Sequence, residues 1–375
     1  MSFSFEILHT SKKSKARVGR IYTPHGVIDT PGFVAVGTNG TLKALDNHLV
    51  NESGLQLMFC NTYHMLLQPG TALVKKAGGL HHFTGRKGPI ITDSGGFQIF
   101  SLAYGSVADE LKGKGKKQSA GSVLKITEEG VLFRSYRDGK KIFLTPESSI
   151  EAQKDLGADI IIPLDELPPY HIDPKKLKES LDRTHRWEER SLQTHLKNPN
   201  AQAIYAVIHG GLDPILRKES ALFLRDRPFD GYAIGGSLGK TKEDMLDMLK
   251  ELMPHLPLEK PSHLLGIGDL PSIDKGVLLG IDTFDSSYPT KAARHGILLT
   301  EEGPLNITKT SYANTFTPIH TECPCPTCQK YHIAYLHHLF KAKEIPFQTL
   351  ATIHNLHFMV RLMGNYRQKI LNDLI

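Results

Sequence analysis

Three cysteines within six residues, Cys323-Pro-Cys325-Pro-Thr-Cys328, are the sharpest chemical signal in the chain. Three thiolates and one imidazole close a tetrahedral zinc shell, the kind that holds a fold together and leaves no position for a substrate. The intervening prolines stiffen the loop and reduce the entropy lost when it wraps a metal. The alternative is three unbound thiols. His354, 26 residues after Cys328 and expected to begin a helix, is taken as the fourth ligand. His320, His332, His337, His338 and His357 are also near, and residue type alone does not choose among them. The remaining cysteine, Cys60, leaves no disulfide framework, so a reducing cytoplasm is expected.

A second signal is a set of acids and glycines that close apolar runs. Asp93 precedes Ser94-Gly95-Gly96-Phe97, Asp165 precedes Glu166, Gly235-Gly236 ends another run, and Asp285 follows Phe284. Any one of these alone reads as a turn or helix-cap residue. Together, carboxylates gathered at one mouth can divide labour, one attacking as nucleophile and another exchanging protons. Glycines beside them let a flat ligand approach the backbone.

The elements that must position these residues form a repeating pattern. Strand-like runs rich in Val, Ile, Phe and Tyr are expected at 32–36, 55–62, 89–93, 159–165, 203–209, 231–234, 263–268 and 281–285. Helical spacing of apolar residues appears between them at 147–157, 175–196, 214–225 and 241–253. Near-continuous apolar strands alternating with helices imply a covered parallel sheet, and eight units fit a closed (β/α)8 barrel of the TIM type. An open doubly wound sheet is the rival. The barrel is preferred because a barrel collects the ends of many strands at one site, whereas an open sheet scatters them. The expected division is a catalytic barrel over residues 1–316 and a zinc-binding subdomain over 317–375 with helices at 331–343 and 354–374. Lysines at 112–117, set among Gly and Ser within 108–121, read as a solvated loop.

Composition sets the outer bounds. The chain has 375 residues, 40% hydrophobic and 22% charged, which excludes a disordered, collagenous or coiled-coil chain. A formal charge of +6 is compatible with a nucleic-acid partner but does not predict one. No apolar run approaches the roughly 20 residues needed to span a bilayer, and no secretory signal is expected.

The runs Thr92-Asp-Ser-Gly-Gly-Phe97-Gln, Leu156-Gly-Ala-Asp-Ile160 leading to Leu164-Asp-Glu166, Gly231-Tyr-Ala-Ile-Gly-Gly236, Leu264-Leu-Gly-Ile-Gly268, Asp282-Thr-Phe-Asp285 with Pro289-Thr290, and Glu322 through Lys330 closely resemble the tRNA-guanine transglycosylases, in the family's order and over nearly the whole chain. That resemblance implies a zinc-containing barrel, a homodimer, and exchange of the wobble guanine of GUN-anticodon tRNAs for a 7-deazaguanine base, either the aminomethyl precursor preQ1 or queuine, without ATP or an organic cofactor. It implies Asp285 as the nucleophile on the ribose anomeric carbon and Asp93 as the acid/base, the chemistry of a retaining glycosidase with a base in place of water. Asp165 would read the Watson–Crick edge of the base. Ser94, Gly95, Gly96, Gly235 and Gly236 would line the slot, with Phe97 and Leu265 on the two ring faces. RNA would be met by Gly266, Ile267, Gly268, Asp269, Leu270, Pro271 and Ser272, and by Thr290, Lys291, Ala292, Ala293 and Arg294.

This chain departs from that pattern in places. His209 stands where the family usually has glutamine, so an imidazole would contact the base carbonyl. After Gly236 comes Ser237-Leu-Gly-Lys240-Thr, without the family's glutamate. Leu167 replaces a small thiol, and Gly239 is expected to enlarge the pocket, which makes queuine a serious candidate. The lysine-bearing loop looks like an insertion. Two other classes compete. A barrel metallohydrolase would need a His-x-His pair, which the chain lacks; a non-catalytic tRNA-binding subunit would have no use for both Asp93 and Asp285.

Overall fold

The computed structural model describes residues 2–104, 122–169, 172–239 and 241–375. Eight parallel strands close into a barrel: β1 Gly32–Val36, β2 Leu57–Cys60, β3 Ile90–Thr92, β4 Ile160–Ile161, β5 Ala203–Ile208, β6 Gly231–Ile234, β7 Ser262–Leu264 and β8 Thr283–Ser286. They pair in chain order, and β8 returns to β1 through Phe284 opposite Phe33. The open-sheet rival is thereby excluded. Val34, Leu57, Phe59, Ile91, Ile160, Tyr205, Val207 and Ala233 pack inside the barrel, while residues of alternate parity pack outward against the helices.

The fourth strand is much shorter than the expected 159–165. Pro163 has no N–H to give a ladder, and the side chain of Gln153 takes over the backbone of Ile162, accepting from its N–H at 2.9 Å and donating to its carbonyl at 2.7 Å. The chain is thus freed from the sheet to carry Asp165 inward.

Two antiparallel three-stranded sheets decorate the barrel. Ser4–Thr10, Arg17–Thr23 and Gly26–Thr30 pack Ile21 and Ile28 onto the barrel interior, and Arg17 is clamped to Asp282 just ahead of β8 with Nε 2.9 Å from Oδ1. Val123–Ile126, Val131–Arg134 and Lys141–Leu144 lie between β3 and β4 and pack Phe133 against Tyr63 and Trp187. The lysine-rich loop at 108–121 lies outside the described residues.

The helices between strands follow the expected ranges: Pro146–Leu156, Pro174–Leu196, Pro214–Arg225 and Lys242–Leu252. Each opens on a side-chain cap, from Thr145, Asp173, Asp213 and Thr241 respectively, and proline occupies the first turn of the first three. In the C-terminal segment the helices run Ile333–Lys341 and Ile345–Leu371. His354 therefore sits in the middle of the long helix, not at its start. Pro346 fits the first turn, and Phe347 and Ala351 already bury the apolar face ahead of His354. This helix straps the segment to the barrel. Asn355 donates to the carbonyls of Pro289 and Ile297, both at 3.0 Å, and Arg367 donates to that of Pro31 at 2.8 Å. Among the described residues no helix is long and apolar enough to cross a membrane.

Candidate active site

A cavity of about 490 Å³ opens at the C-terminal ends of the strands, where a barrel gathers its chemistry. Asp93 after β3, Asp165 after β4, Gly235 and Gly236 after β6, Leu265 after β7 and Asp285 in β8 all line it, with Phe59, Ile162 and Val207 as apolar walls. The acids that the sequence scatters over nearly two hundred positions face one space.

Asp93 is buried, and its oxygens are engaged. Asn61 Nδ2 donates to Oδ2 at 2.6 Å and the Thr62 amide donates to Oδ1 at 2.7 Å. Burial pushes its pKa up to about 6, with the donated hydrogen bonds pulling the other way. A carboxyl so placed takes up or releases a proton near neutrality, which is what an acid/base needs.

Asp285 is also buried, but differently held. Oδ1 accepts from the Gly266 amide at 2.8 Å and faces Nε2 of His263 at 3.1 Å. Both donors come from the end of β7, so the neighbouring strand fixes the carboxylate. His263 itself is fully enclosed. Asn61, Thr62 and His263 escaped sequence reading because each is an ordinary polar residue whose role depends on a neighbouring strand.

Asp165 forms the third wall. Ser94 Oγ donates to its Oδ1 at 3.0 Å, and His209 Nε2 lies 2.9 Å from Oδ2. Gly96 and Gly236 are required here by close approach. A Cβ on Gly96 would stand 2.8 Å from the Asp165 carbonyl oxygen, and one on Gly236 would stand 2.9 Å from His209 Nδ1. Phe97 is 53% exposed at the cavity's edge, with Leu265 also on the lining, so a planar ring can lie against either. The expected enlargement by Gly239 is not what the structure shows. At φ +104 its absent Cβ would run into Asp244 Cβ at 2.5 Å, so the loop backbone demands glycine, and Gly239 does not line the cavity. Leu167 does line it.

A second cavity of about 240 Å³ adjoins the first at Gly236, behind His209, walled by Pro168, Pro169, Leu177 and Leu212. Arg217, fully buried, holds the loops between the two. It donates to the carbonyls of Ile208 at 2.6 Å, Gly211 at 2.8 Å and Ser237 at 2.9 Å. An arginine on the apolar face of an amphipathic helix, in step with Leu216, Ser220 and Leu224, was the signal that could have found it.

The structure narrows the expected RNA-contacting set. Ser272, Thr290, Ala292 and Ala293 are closed off from solvent, Ser272 because its amide caps onto Asp269 and the others because they pack beneath the long C-terminal helix. They can only shape the rim. Gly266, Pro271 and Lys291 are exposed, and Arg294 is half-exposed with its guanidinium on the Thr290 carbonyl at 2.9 Å.

At the C-terminal segment, Cys323, Cys325, Cys328 and His354 bring four ligand atoms within 4.8 Å of one another, all buried. The three Sγ atoms lie 4.0, 3.6 and 3.3 Å from His354 Nδ1. A tetrahedral zinc with its usual bond lengths spans about 3.6 Å between sulfur and nitrogen ligands, so the cluster fits that ion. His354 Nε2 donates to the Leu299 carbonyl at 2.9 Å, which leaves Nδ1 unprotonated and turned to the thiolates. The cluster could hold a metal.

Comparison with known proteins agrees with this geometry. The family model described as queuine tRNA-ribosyltransferase matches residues 11–375. The chain is 70% identical over 373 residues to the queuine tRNA-ribosyltransferase of Protochlamydia amoebophila, covering 100% of this chain and 96% of that protein. It is 57% identical over 376 residues to that of Chlamydia caviae and 56% identical over 376 residues to that of Chlamydia trachomatis serovar L2, with 100% of both chains covered in each case. With the barrel, the converging carboxylates and the cysteine cluster in place, the chain belongs to the queuine tRNA-ribosyltransferase family.

Proposed function

We propose that this protein exchanges the wobble guanine of GUN-anticodon tRNAs for queuine, by two displacements through a covalent tRNA–enzyme intermediate. The observation that carries this reading is that Asp93 and Asp285, two buried carboxylates held by different neighbours, line one cavity wide enough for a base. Asp285 attacks the anomeric carbon, guanine departs with a proton from Asp93, and the incoming base displaces the enzyme while Asp93 takes its proton in turn. The base is read on its edge by Asp165, and stacks between Phe97 and Leu265. The nucleotide must be flipped out of the anticodon stack to reach this depth. A binding subunit without chemistry would gain nothing from two buried acids facing an anionic RNA.

Queuine is favoured over the aminomethyl precursor by the second cavity, whose place behind Gly236 suits a bulky substituent. Its two acids are already engaged, Glu166 with Arg183 at 2.5 Å and Asp213 as the cap of Pro214–Arg225. Among the described residues no free carboxylate is left there for a small ammonium group. Competition for incorporation into guanine-labelled tRNA tests this: queuine should displace the label at least about tenfold better than the precursor, a difference of about 1.4 kcal/mol. Equal or reversed preference would contradict it.

The pKa of Asp93 gives a second expectation. The carboxylate must be ionised to accept the proton of the incoming base, so kcat/KM for that base should fall about tenfold per pH unit below pH about 6. The Asp93→Asn variant should show a low and flat profile. A wild-type profile flat down to pH about 4.5 would remove Asp93 from this role.

A structural zinc in the Cys3His cluster, a homodimer and a cytoplasmic setting complete the reading. So does the division at 316/317, with catalysis on the barrel and the metal on the remainder. The metal's chemistry would be to hold Cys323, Cys325, Cys328 and His354 together, none of which lines the cavity of the acids. RNA-facing roles remain for Gly266, Ile267, Asp269, Leu270, Pro271, Lys291 and Arg294, Gly268 being buried.

A further inference from the structure

Both hydrogen bonds on Asp285 fall on the same oxygen. Oδ1 takes the Gly266 amide and His263 Nε2, and among the described residues no hydrogen bond reaches Oδ2. His263 is fully enclosed, with Nδ1 2.8 Å from Thr283 Oγ1 and its ring nearly parallel to that of Phe59, centroids 6.2 Å apart and planes 19° apart. A neutral imidazole has one donor and one acceptor nitrogen. The Thr283 hydroxyl has one proton, and Nδ1 is a closer acceptor than the Ser262 carbonyl at 3.4 Å. With that proton directed to Nδ1, the imidazole proton stays on Nε2, facing Asp285.

We propose that His263 is a positioning residue that selects Oδ2 of Asp285 as the attacking oxygen and, through Nε2–H on Oδ1, eases the departure of Asp285 in the second displacement. The inference rests on the reading of Asp285 as nucleophile. In the first displacement the Oδ2–C1′ bond forms as the bond from C1′ to guanine breaks, its electron pair leaving with the base nitrogen, which takes up the proton carried by Asp93 and leaves that carboxylate ionised. Oδ1 then becomes an ester carbonyl, a weaker acceptor than a carboxylate oxygen. In the second, the nitrogen of the incoming base bonds to C1′, its proton passes to Asp93, and the Oδ2–C1′ pair returns to Asp285. Negative charge then spreads back onto Oδ1, where the two donors meet it. Donors aimed at developing charge favour the step that creates it, so Nε2–H accelerates release more than attack.

Two variants test this. His263→Phe keeps a ring beside Phe59 and deletes both nitrogens, whereas His263→Gln keeps an N–H that can reach Oδ1. With His263→Phe, kcat/KM for the incoming base should fall about 10- to 100-fold, less than the about 10²- to 10³-fold for loss of a donor to a full oxyanion, because the Gly266 amide still meets Oδ1. In the same variant kcat/KM for tRNA should change by less than about threefold, and the covalent fraction seen by denaturing electrophoresis should rise, since a ping-pong cycle stalls at its slowed half. His263→Gln should recover most of the loss. Equal falls in both kcat/KM values, an unchanged covalent fraction, or equal behaviour of the two variants would overturn the proposal, because a merely structural role gives those results. If His263→Phe does not fold, Thr283→Val withdraws the proton from Nδ1 and should shift the same parameters in the same direction. Mass-spectrometric mapping of the wild-type adduct separates the two levels. An adduct on another residue overturns the nucleophile assignment and this proposal with it, while an adduct on Asp285 with no change in His263→Phe overturns this proposal alone.

Discussion

Asp285→Asn should abolish base exchange, by at least about 10⁴-fold, with tRNA affinity within a few-fold of wild type. The asparagine is the same size, and its Oδ1 can still accept from the Gly266 amide and His263, so the end of β8 keeps its shape. What is lost is the negative oxygen proposed to form the glycosyl bond. Binding is spared because RNA is met at the rim, and removing a negative charge from beneath an anionic polymer does not weaken it. Initial exchange rates and a filter-binding titration of the same preparation check both halves. Substantial residual exchange would show that another group attacks.

Cys325→Ala is expected to have the largest effect on stability. Cys325 is fully buried, its Sγ lies 3.6 Å from His354 Nδ1, and it caps the helix Pro326–Lys330 by accepting from the Cys328 amide at 3.4 Å. A structural zinc would bind as the segment folds, so removing one of its four proposed ligands should cost more than about 4 kcal/mol and lower the bound metal well below one per chain. The damage should spread. Asn355, next to His354, accepts from the Leu299 amide at 2.9 Å and donates to the Pro289 and Ile297 carbonyls. Loosening the cluster therefore loosens the helix Tyr288–Arg294 and the rim that carries Lys291. Metal content and a thermal melt are the measurements. A variant with full stability and no zinc would refute a structural role.

The barrel, the acids gathered at its mouth and the cysteine cluster were legible because their signals are local. Apolar runs ending in Asp93, Asp165 or Asp285 mark strands and their C-terminal ends together, and three cysteines in six residues need no tertiary knowledge. What stayed hidden depends on contacts between distant segments. The early antiparallel sheet was missed because its strands, such as Arg17–Thr23, carry charged and polar residues among the apolar ones without a clean alternation of the two. The end of β4 was misplaced because Gln153, on a helix, satisfies the backbone of Ile162 in place of a strand neighbour. Gly239 was assigned to the pocket because a missing side chain reads as room, whereas its φ of +104 and the nearness of Asp244 make glycine a demand of the loop. His354 does lie with the three cysteines, but inside the helix and not at its start, since helix ends are set by packing as much as by capping residues.

The central claim is that this barrel exchanges a base in tRNA, and incorporation of labelled guanine into an unmodified GUN-anticodon tRNA tests it most directly. Label should enter the wild type, none should enter Asp285→Asn, and unlabelled queuine should chase it out. Tight binding of the tRNA by wild-type enzyme with no label incorporated would contradict it, leaving Asp93 and Asp285 as buried acids without a reaction.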